Sequence, residues 1–397
     1  MSFENLTAVS SDSILGLAQA FRRDPAPEKI DLTVGIYRDD DGQTPVMHAV
    51  AEAERALLAA QTTKSYLPPI GLPGYRTRIR QLVLGELDAG LADRTGVLQT
   101  TGGCGALRIG AELFAVAQPD KPVYLSDPTW GNHHGLMSGA GLGISTYPYF
   151  DLDGHTLTMD AMLDCLQRAP EQSLVVLQAS CHNPTGADPD AEAWAAILDR
   201  IEQRAHLPFF DLAYQGLGAG LQQDALPVRM AAKRLGEFLV AVSCSKNFGL
   251  YRERAGALLM VAADAGQRRV LESRVKQIAR GMYSMPPAHG ALIVDRVLAD
   301  TGLRNTWRRE LAVMSQRLAV LRTGLARALA ERRPDLDCSW IATGNGLFLQ
   351  LGIDTGVVDR LRDKNHIYMV RDGRINVAGL NGHNLAVFAD ALAPRLP

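Results

Sequence analysis

The chain has 397 residues, 47% of them hydrophobic, and a formal net charge of -2. That length suits a large core divided between two domains, and the near-neutral charge gives no electrostatic case for nucleic acid or an anionic membrane. The five cysteines (Cys104, Cys165, Cys181, Cys244, Cys338) are scattered without a Cys-x-x-Cys pair, against a disulfide framework or zinc site and for a reducing compartment.

No apolar window reaches membrane-spanning length and no signal-peptide pattern is visible, so the expected location is the cytoplasm. Asp12 is placed to cap a helix through Phe21, whose apolar residues Ile14, Leu15, Leu17, Ala18 and Phe21 have helical spacing. Pro25 and Pro27 end it. Residues 30–37 read as a short strand containing Gly35, which permits close approach of a ligand or another backbone. A helix is expected over 46–60, and prolines make 63–69 a loop. Gly102-Gly103-Cys104-Gly105 precedes a helical run over 106–114. Glycines entering a helix leave free backbone N–H groups for an anion, although the spacing matches neither the dinucleotide nor the P-loop motif. Residues 121–126 read as a strand followed by a segment carrying Trp130 and His133. Taken singly, those two read as core packing and a satisfied histidine.

The middle of the chain is more informative. The apolar run 174–177 leads to Cys181-His182-Asn183-Pro184-Thr185-Gly186. After a helical stretch over 191–204, the run 207–210 leads to Asp211-Leu212-Ala213-Tyr214-Gln215-Gly216. The run 238–242 leads to Ser243-Cys244-Ser245-Lys246. Strands alternating with helices predict a largely parallel α/β sheet, and all three runs place polar residues at the carboxyl end, where such sheets bind ligands. A lysine at the end of a buried strand is partly desolvated, and neighbouring cations also disfavour its charge, so Lys246 is expected to be a nucleophilic amine. Ser243, Ser245 and Arg254 are residue types that hold a phosphate. A nucleophilic lysine beside a phosphate cradle suggests a Schiff base with pyridoxal phosphate. A buried Asp211 needs a cationic partner, which a protonated pyridine nitrogen would provide. Asn183 and Tyr214 are placed to bond a phenolate oxygen on the same ring.

Further along, residues 305–331 have the composition of one long helix. Short strand signals follow at 346–349, 367–370 and 373–380, where a second, smaller domain is expected.

Taken together, Thr62-Thr63-Lys64-Ser65-Tyr66, the Cys181, Asp211 and Ser243 motifs, and Ser284-Met285-Pro286-Pro287-Ala288-His289-Gly290 resemble the class I aminotransferases of fold type I. The resemblance is to the aspartate and aromatic amino acid branch, most of all its bacterial aromatic members. It extends from Leu32-Thr33-Val34-Gly35 to Arg374-Ile375-Asn376-Val377-Ala378-Gly379. It implies an α/β fold: a large domain with a mostly parallel seven-stranded sheet between helices, plus a smaller α/β domain. The implied division is an N-terminal arm (1–11), a first part of the small domain (12–44), the large domain (45–313) and a second part of the small domain (314–397).

The resemblance also implies roles. Lys246 would carry pyridoxal phosphate and act as the proton-transferring base, and Asp211 would pair with the pyridine nitrogen with His133 behind it. Trp130 would stack on the ring, and Asn183 and Tyr214 would bond its phenolic oxygen. Gly103, Cys104, Ser243, Ser245 and Arg254 would hold the phosphate, with Tyr66 of a neighbouring subunit. Arg374 would grip the substrate α-carboxylate, with Gly35, Phe348, Trp130 and Asn183 around it, and Arg280 would reach a distal carboxylate across a dimer interface. The implied protein is a homodimer that exchanges an amino group between an aromatic L-amino acid and 2-oxoglutarate. An aspartate-specific or dual-specificity enzyme is the runner-up, and a non-catalytic pyridoxal-phosphate-binding module is a third reading. The chain departs from the aspartate enzymes at Thr33 (usually Gly), Ser65 (Asn), Cys104 (Thr) and Met285 (Asn). Met285 in place of an amide makes the side-chain pocket less polar, which favours an aromatic ring.

Overall fold

The protein is described by a computed structural model covering residues 3, 4, 7, 13–86 and 88–396. In chain order its strands are β1 (Ile30–Asp31), β2 (Thr95–Thr101), β3 (Val123–Asp127), β4 (Ile144–Pro148), β5 (Phe150–Asp151), β6 (Thr156–Leu157) and β7 (Leu174–Gln178). Then come β8 (Leu207–Leu212), β9 (Phe238–Ser243), β10 (Ala255–Val261), β11 (Phe348–Gln350), β12 (Ile367–Tyr368) and β13 (Arg374–Asn376). Seven of them form one sheet in the order β2-β10-β9-β8-β7-β3-β4. The pairs β9–β8, β8–β7, β7–β3 and β3–β4 are parallel; β10 runs antiparallel to both its neighbours.

The continuous apolar runs follow from burial on both faces of this sheet. Successive side chains alternate between faces. Val175, Leu177, Phe210, Val240 and Val242 therefore enter one core, with Tyr75, Trp194 and Ile197 from helices. Val176, Phe209, Leu239 and Ala241 enter the other, with Leu107, Ile109 and Phe114 of the helix Gly102–Ala117.

β1, β11, β12 and β13 lie outside the large sheet. β1 pairs in parallel with β12, setting Ile30 opposite Ile367, and β11 pairs antiparallel with β13. The helix Thr301–Arg332 connects this region to the large sheet; it is capped by Asp300, whose Oδ1 accepts from the backbone N–H groups of Gly302 and Leu303. At 32 residues it is about 48 Å long. Its buried stripe of Trp307, Leu311, Met314, Leu318, Leu321 and Leu325 repeats at helical spacing. Trp307 stacks on Phe248 and donates from Nε1 to Asn247 O at 2.7 Å, which ties the helix to the loop beyond Lys246.

Three sequence expectations need correction. The strand expected over 30–37 is only Ile30–Asp31. Asp31 Oδ1 accepts from both the backbone N–H and the hydroxyl of Thr33, an Asx-type turn that breaks the ladder. The helix expected from residue 106 begins at Gly102, so the glycines form its first turn. The long helix starts at Thr301 rather than 305. The cap expected at Asp12 lies outside the described residues, although the helix itself runs Ser13–Arg23. Among the described residues no helix is long and apolar enough to cross a membrane.

Candidate active site

The carboxyl ends of β7, β8 and β9 and the start of the helix Gly102–Ala117 enclose a cavity of about 250 Å³. Lys246 lies in it three residues beyond β9. Its Nζ sits 4.9 Å from the centroid of the Tyr214 ring. Burial lowers the Lys246 pKa from the usual lysine range, and Arg254 adds to this, while Asp211 and Cys104 act in the opposite sense. The net direction favours the neutral, nucleophilic amine.

One wall is an anion cradle. Arg254 donates from Nη1 to Ser245 Oγ at 3.2 Å and to Tyr251 O at 3.0 Å, and Ser243 Oγ accepts from Ser245 N at 3.2 Å. Gly102 has φ +73, and a Cβ there would lie 2.5 Å from Arg254 Nη2. Glycine is thus required both for the backbone conformation and for the guanidinium to rest on the helix start. Gly103 and Cys104 follow in the same first turn, whose N–H groups have no intrahelical acceptor. The cradle combines two hydroxyls, a guanidinium and helix-start amides, a donor set that fits a phosphate monoester. Asn132 Nδ2 points at Cys104 Sγ at 3.9 Å.

The opposite wall carries Asp211, which is 7% exposed near the end of β8. His133, on the helix Asn132–Gly139, brings Nε2 to 3.2 Å from Asp211 Oδ2. Trp130 lines the cavity and meets His133 edge-on at 5.3 Å between centroids. Asn183, in the turn after β7, also lines it. Burial, together with Asp211, raises the pKa of Tyr214 above the usual phenol range, and Arg374 and Asn183 act in the opposite sense.

Beside this lies a buried arginine. Arg374, at the start of β13, donates from Nη1 to Asn183 Oδ1 at 3.1 Å and from Nη2 to Thr33 O at 2.9 Å. Its guanidinium carbon is 4.6 Å from the centroid of Phe348. Its Nε is buried without a hydrogen-bond partner among the described residues. An arginine with a donor to spare suits a carboxylate. Gly35 lies so close to Phe348 that a Cβ would meet its Cζ at 2.6 Å, so a glycine is required there.

The structure thus brings together Lys246, Asp211, Tyr214, Gly103, Cys104, Trp130, His133, Asn183, Ser243, Ser245, Arg254 and Gly35, with Arg374 and Phe348 adjoining. Tyr66 and Arg280 do not line the cavity of their own chain. Tyr66 is 89% exposed, and Arg280 donates to Ser284 Oγ at 2.6 Å on an exposed helix end. The sequence reading passed over Leu107, Gln178, Ala213 and Tyr251, which also line the cavity. For Gln178 a signal existed: a polar residue directly after a buried apolar run. Tyr251 carried none, because its hydroxyl accepts from the backbone N–H of Tyr37, far away in sequence.

A desolvated lysine, a buried carboxylate with its imidazole, and an all-donor phosphate cradle at the carboxyl edge of a seven-stranded α/β sheet define a pyridoxal-phosphate enzyme of fold type I. The chain belongs to the family described as aminotransferase class I and II, whose profile matches residues 27–392. It is 43% identical over 392 residues to an aromatic-amino-acid aminotransferase of Pseudomonas aeruginosa, covering 98% of each chain. It is 42% identical over 395 residues to an aspartate aminotransferase of Salmonella typhi, covering 99% of this chain and 100% of that one. A solved aromatic-amino-acid aminotransferase of Burkholderia pseudomallei, covalently bound to pyridoxal phosphate, superposes with a TM-score of 0.97 at 39% identity over 100% of both chains. The protein is an aminotransferase and its cofactor is pyridoxal phosphate.

Proposed function

We propose that the enzyme exchanges an amino group between an aromatic L-amino acid and 2-oxoglutarate. The observation that carries the reading is Asn183, which lines the Lys246 cavity and receives a hydrogen bond from the buried Arg374. A carboxylate held by Arg374 would place an α-amino group beside the lysine. The aromatic preference is supported by a relative named for aromatic amino acids and by a methionine, Met285, next to the Arg280–Ser284 contact. Burying apolar ring area there contributes about 25 cal/mol per Å².

When bound, pyridoxal phosphate supplies an aldehyde for the amino group and an electron-withdrawing ring that eases loss of the α-proton. In this reading the residues divide the remaining work. Lys246 Nζ, held neutral, would be the base that takes up the proton lost from the substrate α-carbon and the acid that gives it back. Asp211 would pair with the ring nitrogen, and Asn183 and Tyr214 would bond the ring oxygen. Trp130 would stack on the ring. Ser243, Ser245, Arg254, Gly103 and Cys104 hold the phosphate. Arg374 fixes the α-carboxylate as a fork, with Gly35 and Phe348 alongside. Exposed Tyr66 and Arg280 are assigned to the site of a second copy, the phosphate and the distal substrate group respectively, which makes the protein a homodimer. The small domain is assigned to 12–44 and 314–397 and the large one to 45–313, a division that the β1–β12 pairing supports by joining the two small-domain pieces. Five free cysteines suit the cytoplasm.

An aspartate enzyme is the second reading, and a relative of that name at nearly equal identity favours it. The test is a half-reaction on the loaded protein with L-phenylalanine, L-tyrosine or L-aspartate alone, followed by cofactor absorbance. Faster conversion by the aromatic acids is expected. Conversion by aspartate alone overturns the aromatic reading, and no conversion by any of them removes the assignment of both substrates.

A further inference from the structure

Gln178 is a buried polar residue that none of these roles absorbs. It ends β7, is 7% exposed and lines the Lys246 cavity. The β7–β8 register sets it opposite Asp211. Its side-chain amide closes a two-bond ring on one residue's backbone: Nε2 donates to Asn183 O at 2.9 Å, and Oε1 accepts from Asn183 N at 2.8 Å. An amide can do this because it carries a donor and an acceptor side by side, as a strand neighbour does.

Asn183 sits where such a clamp matters. The chain leaves the sheet with Cys181 at a left-handed φ of 54. On the other side of the turn, the Asp188 carboxylate accepts from the backbone N–H of Cys181 at 2.7 Å and of His182 at 2.9 Å. Asp188 Oδ2 also accepts from Asn345 Nδ2 at 3.2 Å. Asp188 therefore holds the first two residues of the turn and Gln178 the third. The Asn183 side chain then receives Arg374 Nη1 at 3.1 Å. Three links join the edge of the sheet to the guanidinium: Gln178 amide, Asn183 backbone and side chain, Arg374.

We infer that Gln178 is a positioning residue that sets the place of the Arg374 guanidinium through Asn183, and with it the affinity for the substrate carboxylate. The inference rests on the proposed carboxylate role of Arg374. Its signature is dependence on Asn183: with that side chain absent, the Gln178 clamp has nothing to transmit.

The experiment is a double-mutant cycle on pyridoxal-phosphate-loaded protein, with calorimetric binding of 3-phenylpropionate, an aromatic carboxylate that has no amino group to react. Gln178→Leu is expected to weaken binding about tenfold, the size of a pair of lost buried hydrogen bonds, and to raise KM for the amino acid more than it lowers kcat. In an Asn183→Ala background the same substitution should change binding less than about twofold. Additive penalties overturn the inference, as does unchanged binding in Gln178→Leu when Asn183→Ala is impaired. If Asn183→Ala itself binds like the parent, Asn183 transmits nothing to Arg374 and the inference falls, whereas unchanged binding in Arg374→Ala would remove the carboxylate-site reading itself. Should Gln178→Leu fail to fold, Gln178→Met, uncharged and of similar length, carries the same expectations.

Discussion

His133 Nε2 lies 3.2 Å from Asp211 Oδ2 while its Nδ1 lies 2.8 Å from Thr129 Oγ1. A carboxylate only accepts, so the Nε2 of a neutral ring carries the hydrogen and Nδ1 accepts from the threonine hydroxyl. The arrangement fixes the tautomer, and it places the carboxylate of Asp211 at the cavity, where it would serve as the partner of a protonated ring nitrogen. Asp211→Asn should lower kcat/KM on the order of a thousand-fold, the scale of losing an electrostatic partner in a dry site. Thr129→Val should cost less than about tenfold, since it removes only the bond that orients the imidazole. Steady-state kinetics on both variants checks the order. A larger loss in Thr129→Val than in Asp211→Asn would reverse the assignment.

The lowered pKa of Lys246 has its own readout. Burial, its largest cause, penalises the ammonium form, so the neutral amine is present at lower pH than for a free lysine. The rate at which apoprotein captures pyridoxal phosphate should rise with pH and level off below the ordinary lysine value of about 10.4. Lys246→Ala should abolish capture as judged by borohydride reduction and peptide mass. A rate still rising steeply beyond the ordinary lysine pKa would contradict the burial argument.

At Gly102 the backbone has φ +73 and an added Cβ would lie 2.5 Å from Arg254 Nη2. Gly102→Ala therefore combines a strained left-handed residue, costing about 1–2 kcal/mol, with displacement of the guanidinium from the cradle. The expected outcome is weaker cofactor retention, measured by dialysis and absorbance, with a lower Tm. Arg254→Lys should weaken retention without the Tm loss, because it leaves the helix start unstrained.

The parts of this molecule legible in the sequence are those with a local cause. Continuous apolar runs such as 238–242 named the buried strands, and polar residues within a few positions of their carboxyl ends named Asp211, Asn183 and Lys246. Helical composition without a proline named the long helix over 305–331. Long-range causes stayed hidden. The strand at 30–37 stops after Asp31 because of a side-chain turn at Thr33, and its pairing partner Ile367 lies at the other end of the chain. Gln178 reads as the polar end of a strand; nothing local says that its amide would fold back onto Asn183. The second-copy assignment of Tyr66 came from family resemblance alone, since an exposed loop tyrosine has no signature of its own.

His155 joins the β5–β6 hairpin to the C-terminal part of the chain. Its imidazole stacks on Trp340 at 3.6 Å between centroids and 6° between planes, close against Gly352. Its Nδ1 is buried without a partner among the described residues. Burial lowers its pKa from the usual histidine value, and Asp151 and Asp153 oppose this only in part. The sign follows from proton counting. Between the folded pKa and the unfolded value of about 6.5, the unfolded chain holds a proton that the folded chain lacks, so stability rises with pH across that window. Below the window both states are protonated and the full burial penalty applies. Acidifying from about pH 7 to about pH 5 should therefore lower Tm by an amount that His155→Phe, which keeps a stacked ring and has no proton to bind, does not share. Melting curves of the two proteins across that range make the comparison; parallel slopes would mean that the stack tolerates the charge and that other groups set the acid response.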